Sequence, residues 1–152
     1  MKRLIVLIAS LALIVTSLAC AKSSPATPTP SSSSSTVSYN VATGQWTLPS
    51  GWKATENPKG SGNWDIANTK GVRVARYQVE SNGSTTLTEI PGISFDQARN
   101  EWTLPNGWIA GNINNKVWNV YDQNNHRVAQ YEIQVDGSLQ ITESDYNPAS
   151  YL

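Results

Sequence analysis

Val72-Arg73-Val74-Ala75-Arg76-Tyr77-Gln78-Val79-Glu80-Ser81-Asn82-Gly83 is the stretch on which the fold turns. Ala75, Tyr77 and Val79 alternate with Arg76, Gln78 and Glu80. Period-two alternation of this kind predicts a strand with one buried side. Asn82-Gly83 then predicts a type I′ turn, because this dipeptide readily supplies two positive φ angles. The chain returns as a second strand over Thr85 to Glu89. The pattern recurs 54 residues later. His126 to Val135 alternates again, with Ala129, Tyr131, Ile133 and Val135 on one face and Gln130, Glu132 and Gln134 on the other. Asp136-Gly137 makes the turn, and Ser138 to Thr142 returns with Leu139 and Ile141 inward.

Working outward, the two copies stay in register. Trp64-Asp65-Ile66 falls on Trp118-Asn119-Val120, and Thr88-Glu89 on Thr142-Glu143. Further upstream the offset becomes 56, where Val37-Ser38-Tyr39-Asn40 matches Ile93-Ser94-Phe95-Asp96 and Gln45-Trp46-Thr47-Leu48-Pro49 matches Glu101-Trp102-Thr103-Leu104-Pro105. Gly51-Trp52 falls on Gly107-Trp108, so all six tryptophans form three pairs. Self-similarity at a fixed period points to internal duplication. Short strands are also predicted around Trp64 to Ala67 and Val117 to Tyr121. Each copy opens on a hairpin, Val37 to Asn40 turning into Gln45 to Leu48 in the first. In the second, Ser94-Phe95-Asp96-Gln97 also reads as a capping box for a short helix. Tyr39 and Phe95 alternate with polar neighbours, which favours the strand.

A unit of about 50 residues buries too little surface to be comfortable alone without a metal or disulfide. The expectation is therefore an all-β fold, a tandem duplication of an antiparallel unit forming one pseudo-symmetric sandwich or barrel-like domain. The segments are 37–90 for the first repeat, 91–146 for the second and 147–152 for a C-terminal tail. Up to ten short strands are expected.

Ahead of this domain lie Lys2 and Arg3, an apolar run from Leu4 to Val15, and Thr16-Ser17-Leu18-Ala19 before the only cysteine, Cys20. That order reads as a secretory signal segment over 1–19. Its apolar core is about a dozen residues, short of the roughly 20 that a spanning helix needs. Ser17-Leu18-Ala19-Cys20 resembles the lipobox of bacterial lipoproteins, with Ser17 where Leu is usual. The resemblance implies cleavage before Cys20, a diacylglycerol thioether on its sulfur and acylation, as by palmitate, of the new amino group. Two or three such chains anchor a protein stably, at about 0.8 kcal/mol per buried CH2. Ala21 leaves out the aspartate typical of inner-membrane retention, so the expected location is extracytoplasmic, at an outer membrane or cell surface. Residues 20–36, rich in Ser, Thr and Pro, read as a disordered tether. About 15 residues in extended polyproline geometry would lift the domain by some 40 Å.

Leu48-Pro49-Ser50-Gly51-Trp52, followed by Trp64-Asp65-Ile66-Ala67-Asn68-Thr69 and Tyr77, is similar to a WW domain. Leu104-Pro105-Asn106-Gly107-Trp108 and Tyr131 repeat the likeness. The resemblance implies a three-stranded meander after the Pro-x-Gly-Trp turn. WW modules clamp proline with a second Trp, where this chain has Tyr77 and Tyr131, and the closing Pro is missing. Tyr39-Asn40, Thr43 and Trp46 look like part of a kelch blade, but two units cannot close a propeller.

Chemistry is constrained by what is scarce. The chain has formal net charge +0 and offers no basic stripe for phosphates, which argues against nucleic acid. His126 is the single histidine and the lipobox resemblance commits Cys20 to lipid, so neither a His-based metal cluster nor a His-dependent nucleophile is supported. His126 reads as a solvated turn residue. No cofactor, metal or enzymatic activity is expected. The carboxylate pairs Asp65 with Glu80 and Asp122 with Glu132 leave a glycan hydrolase as one alternative. Such a pair would need separations of about 5 to 9.5 Å. The aromatic residues are more suggestive. Tryptophan in a small domain serves as core, its N–H reaching a partner, or lies exposed and stacks on sugar or proline rings. Trp46 and Trp102 read as core. Trp52, Trp108, Trp64 and Trp118 are the candidate ligand-binding residues, with Trp52 and Trp108 at the sheet edge expected to be the more exposed pair. The expected function is a membrane-anchored lipoprotein carrying a non-catalytic binding module for polysaccharide or an envelope protein. A structural or assembly lipoprotein working through protein contacts is the alternative from another class.

Overall fold

The computed structural model describes residues 36–151. The signal segment, Cys20 and the tether lie outside the described residues. Twelve strands and one 3-10 turn make up the described chain. In chain order the first half contains β1 (Ser38–Asn40), β2 (Gln45–Thr47), β3 (Lys53–Glu56), β4 (Asn63–Ala67), β5 (Arg73–Val79) and β6 (Thr85–Glu89). The second contains β7 (Ser94–Asp96), β8 (Glu101–Thr103), β9 (Ile109–Asn112), β10 (Val117–Tyr121), β11 (Arg127–Ile133) and β12 (Leu139–Ser144), then the 3-10 turn Pro148–Tyr151. Every pairing is antiparallel: the hairpins β1-β2 and β7-β8, and the four-stranded meanders β3-β4-β5-β6 and β9-β10-β11-β12. The fold is all-β, and Ser94–Asp96 is a strand rather than the start of a helix.

Two strands, β3 and β9, escape the sequence reading. Lys53-Ala54-Thr55-Glu56 and Ile109-Ala110-Gly111-Asn112 carry too few β-branched or aromatic residues to register as strands. They are held by pairing with β4 and β10. The meander that follows each Pro-x-Gly-Trp turn thus has four strands, one more than a WW domain. The loop between β3 and β4 spans 57–62 and that between β9 and β10 spans 113–116. This two-residue difference is where the sequence offset between the two halves falls from 56 to 54.

The turns repeat with equal regularity, and they correct one expectation. Gly83 N–H donates to Glu80 C=O at 2.8 Å and Glu80 N–H to Ser84 C=O at 2.9 Å. Only Gly83 (φ 82) has positive φ there, and only Gly137 (φ 83) in the matching turn. Each is a three-residue loop ending in one left-handed residue, a bulged hairpin, where Asn82-Gly83 and Asp136-Gly137 had predicted a two-residue type I′ turn. Asn82 Oδ1 and Asp136 Oδ1 instead accept the backbone N–H of Ser84 and Ser138. That side-chain turn holds the first polar residue in ordinary backbone geometry.

Each hairpin packs on one face of its meander. Ile66 and Ala75, both fully buried, form the first core with Trp52, and Trp46, Leu48 and Tyr77 pack against it. Val120, Val128, Ala129 and Tyr131 form the second core, with Trp102, Leu104 and Trp108 around it. Tyr39–Trp46–Tyr77 and Phe95–Trp102–Tyr131 are matching aromatic stacks, the ring centroids 5.1 to 5.9 Å apart. Tilted and edge-on contacts of this kind contribute about 0.5–1.5 kcal/mol beyond area burial.

The halves belong to one compact unit. Ile90, from the linker, is buried in the second core, and Leu87 packs against both cores. Tyr146 also touches both and donates its hydroxyl to Val74 C=O at 2.9 Å, 72 residues away. Residues 147–152 read as a tail in the sequence. Pro148 of the 3-10 turn is in fact buried, and Ala149 packs against the first core.

Candidate functional site

A cleft of about 860 Å³ opens between the halves, lined by the start of β5, the linker Ile90-Pro91-Gly92, the turn between β10 and β11, and the C-terminal residues. Its aromatic wall is Trp108, Tyr146 and Tyr151. Tyr146 and Tyr151 stack with centroids 5.3 Å apart and planes 13° from parallel. Trp108 meets Tyr151 edge-on at 5.1 Å. Arg73, Arg127, His126 and Asp145 bring charge to the same cleft.

Trp108 reaches the wall through local geometry. Trp108 N–H donates to Pro105 C=O at 3.0 Å, closing a turn that needs positive φ at its third residue, and Gly107 supplies it at 79°. Trp52 N–H donates to Pro49 C=O at 3.1 Å in the matching turn over Gly51. Each Trp then shares parity with the strand it enters. Ala54 pairs with Ile66 and Ala110 with Val120, so Trp52 and Trp108 point toward the core side.

That parity corrects the expectation of an exposed Trp52/Trp108 pair. Trp52 is 9% exposed, a member of the first core with no ring face to offer a ligand. Trp108 is half-buried and lines the cleft. Trp64 and Trp118 are both half-buried and lie outside the cleft. Their rings lie 6.0 Å from Trp46 and 5.6 Å from Trp102, at 54° to them, between hairpin and sheet. The indole N–H groups of Trp46, Trp102 and Trp118 and the Tyr131 hydroxyl are buried without a hydrogen-bond partner, contrary to the expectation that core indoles find one. Of the four candidate tryptophans, only Trp108 belongs to the cleft. Tyr146 and Tyr151 were visible only as aromatic content, since nothing in a C-terminal tail signals that it docks.

Asp122 is the buried charge beside the cleft, 5% exposed. Its Oδ1 accepts the N–H groups of His126 and Asn124 at 2.9 and 2.8 Å, and its Oδ2 the Tyr151 hydroxyl at 3.3 Å. The His126 N–H, foremost, holds its carboxyl below the usual range against the opposing cost of burial. Burial pushes the Tyr151 hydroxyl up. Asn68 fills the matching turn, with its Oδ1 accepting from Lys70 and Val72 N–H. Asp122 therefore organises a turn and clamps Tyr151. His126 is exposed on that turn, with Nδ1 3.8 Å from Asp122 Oδ2.

The carboxylate pairs suggested by sequence do not meet. Glu132 pairs with Val117 at one end of the β10-β11 hairpin, while Asp122 follows Tyr121 at the other. At about 3.4 Å per residue these ends lie roughly 17 Å apart. Asp65 pairs with Arg76, four residues before Glu80, or about 14 Å along the strand. Both separations exceed the range for acid/base work on one glycosidic bond. Among the described residues no three His, Cys, Asp or Glu side chains converge as metal ligands, and no helix is long and apolar enough to cross a membrane.

The outer faces of the two meanders, away from the hairpins, differ in chemistry. Thr55, Asp65, Arg76 and Glu89 form a row across the first sheet. Arg76 Nε donates to Asp65 Oδ1 at 2.7 Å, and Arg73 bonds both Asp65 and Glu89. The Arg76 guanidinium holds the Asp65 carboxyl down at about 2. The same register in the second sheet carries Gly111, Asn119, Gln130 and Glu143. There Arg127 turns to Asp145 and Glu143 instead.

Comparison with known proteins finds no match for this chain among family models, curated proteins or solved structures.

Proposed function

We propose that this chain is a membrane-anchored extracytoplasmic lipoprotein whose β domain is a non-catalytic binding module, with the cleft between the halves as its ligand site. The cleft carries the reading: about 860 Å³ with Trp108, Tyr146 and Tyr151 on one wall and arginines at hand. Concave sites with aromatic walls and a few convergent polar groups are where proteins bind small or extended ligands. The carboxylates nearby are engaged in turns and ion pairs, which favours binding over hydrolysis. The anchor rests on Cys20 and the apolar segment before it.

Two measurements test the reading. Metabolic labelling with a fatty-acid probe should mark the wild type and not Cys20→Ser, and labelling that survives the substitution removes the anchor. Pull-downs of envelope glycans and proteins should lose their ligand in Trp108→Ala while the fold is kept. Retention of proteins alone, unaffected by Trp108→Ala, favours the structural or assembly role. Product release from a polysaccharide panel would mean hydrolysis instead.

A further inference from the structure

Beyond the cleft, we propose that the outer face of β9-β10-β11-β12 is a second binding site, for a neutral saccharide, built on Tyr121, Asn119 and Gln130. Its starting point is Gly111. This glycine is absent from the positive-φ residues, so backbone strain does not call for it. A Cβ added there would meet Tyr121 Cε2 at 3.4 Å. The side chain is missing where the tyrosine ring lies against the edge strand. In the first half the matching positions are Thr55 and Ala67, and no ring is seated there.

Tyr121 is held by a chain of neutral hydrogen bonds. Thr142 Oγ1 donates to Gln130 Oε1 at 3.0 Å, Gln130 Nε2 to Asn119 Oδ1 at 3.3 Å, and Asn119 Nδ2 to the Tyr121 hydroxyl oxygen at 3.0 Å. Each bond uses one donor, leaving the Tyr121 O–H and a second N–H on each amide. These remaining donors share one half-buried row with an aromatic ring. The β7-β8 hairpin packs on the opposite face, where Trp102 meets Trp118.

Charge decides the ligand class. In the first half the row closes on itself through Asp65, Arg76 and Glu89. In the second half Asn119 and Gln130 replace the first two, and Arg127 is shared between Glu143 at 2.7 Å and Asp145 at 3.1 Å. Glu132 adds one carboxylate on the same face, an acceptor for hydroxyl protons. A pyranose has an apolar face for the ring and hydroxyls that both donate and accept. A polyanion finds no cationic cluster on this row.

The experiment uses the full chain in a non-sugar detergent, with calorimetric titration of neutral hexasaccharides of glucose, mannose, galactose and N-acetylglucosamine, and polygalacturonate as the anionic probe. At least one neutral probe should bind. Tyr121→Phe keeps the ring over Gly111 and removes the hydroxyl, and with Gln130→Ala it should weaken binding by about tenfold, the loss of one to two hydrogen bonds. Gly111→Thr, whose Cβ would touch Tyr121 Cε2 at 3.4 Å and whose branches extend beyond it, should do the same by crowding the ring. Cooperative melting of each variant separates lost binding from lost fold. Neutral-probe binding that is lost in Trp108→Ala but kept in the three face variants assigns the saccharide to the cleft and overturns this proposal, so failure of the cleft and failure of this face are distinguishable. The proposal is overturned if no neutral probe binds at millimolar concentration, if only polygalacturonate binds, or if binding persists in folded Tyr121→Phe, Gln130→Ala and Gly111→Thr.

Discussion

Asp65→Asn converts one position of the charged row into its counterpart Asn119, and its cost can be worked from the ion pair. The Asp65 carboxyl sits at about 2 against 3.8 for the free group, first because Arg76 donates to it. At 1.36 kcal/mol per pKa unit this difference is about 2 kcal/mol. Arg73 and Glu89, 36% and 38% exposed, share the network, and screening at such solvated partners brings the figure to about 1 kcal/mol. The folded pKa is depressed, so the contribution is complete above about pH 5 and fades as pH falls through about 2. Urea denaturation in low salt should find Asp65→Asn less stable by about 1 kcal/mol at pH 7, the gap closing toward pH 2. Arg76→Gln alone should cost a similar amount. The double variant, Asp65→Asn with Arg76→Gln, should recover part of the loss, because the second sheet makes that amide bond in the same register. A coupling near zero, or a deficit as large at pH 2 as at pH 7, would refute charge pairing as the cause.

Tyr131→Ala should destabilise the whole domain by roughly 3–5 kcal/mol, as other buried aromatics do. Tyr131→Phe should be neutral or stabilising in the same denaturation curves, since it removes a buried hydroxyl without a partner. Gly83→Ala places a Cβ 1.8 Å from Val41 Cγ2, whereas Gly71→Ala meets nothing within 4 Å. Both hold positive φ, so thermal melts should show about 1 kcal/mol lost at Gly71 and clearly more at Gly83. A fragment of residues 37–90 loses Tyr146 and Ala149 from its core, while the remainder loses Leu87 and Ile90. Neither piece should melt cooperatively by circular dichroism, and a 37–90 fragment melting at the temperature of the intact domain would mean two independent modules.

The long strands and their returns were legible because Ala75, Tyr77 and Val79 must face one side whatever the rest of the chain does. Tyr131, buried as its parity required, is the clearest instance. What escaped was set by partners rather than by pattern. Lys53 to Glu56 has no strand signal of its own and becomes β3 only by pairing with β4. Missing that strand carried the tryptophan error with it, because the parity of β3 is what turns Trp52 into the core. The type I′ expectation failed for a similar reason: Asn82 and Asp136 spend their side chains on Ser84 and Ser138 and leave positive φ to glycine alone. The tail was illegible because docking of Pro148, Ala149 and Tyr151 depends on a surface that both halves build.

Agreement between the two halves marks the scaffold, and their differences are where we place the proposed sites. Ile66 and Val120, or Ala75 and Ala129, must match because each fills the same fully buried space. Outward positions carry no such constraint. Asp65 against Asn119, Arg76 against Gln130, Thr55 against Gly111 and Ala67 against Tyr121 all differ, and all four lie on one face in adjacent registers. Four changes scattered at random over a solvated surface would have no reason to assemble a hydrogen-bonded row with a ring seated against it. The same reasoning holds in the turns after β4 and β10. Asn68 and Asp122 make the same backbone bonds, yet only Asp122 reaches a tyrosine, Tyr151 at 3.3 Å, and so fixes the aromatic wall of the cleft in the second half. Asp122→Asn keeps the turn and changes the charge facing Tyr151. At pH 7 it should lower the midpoint of unfolding slightly, since the depressed carboxyl contributes as a carboxylate. It should also weaken ligand binding in the proposed cleft, and a loss of stability without a loss of binding would place Asp122 in the scaffold alone.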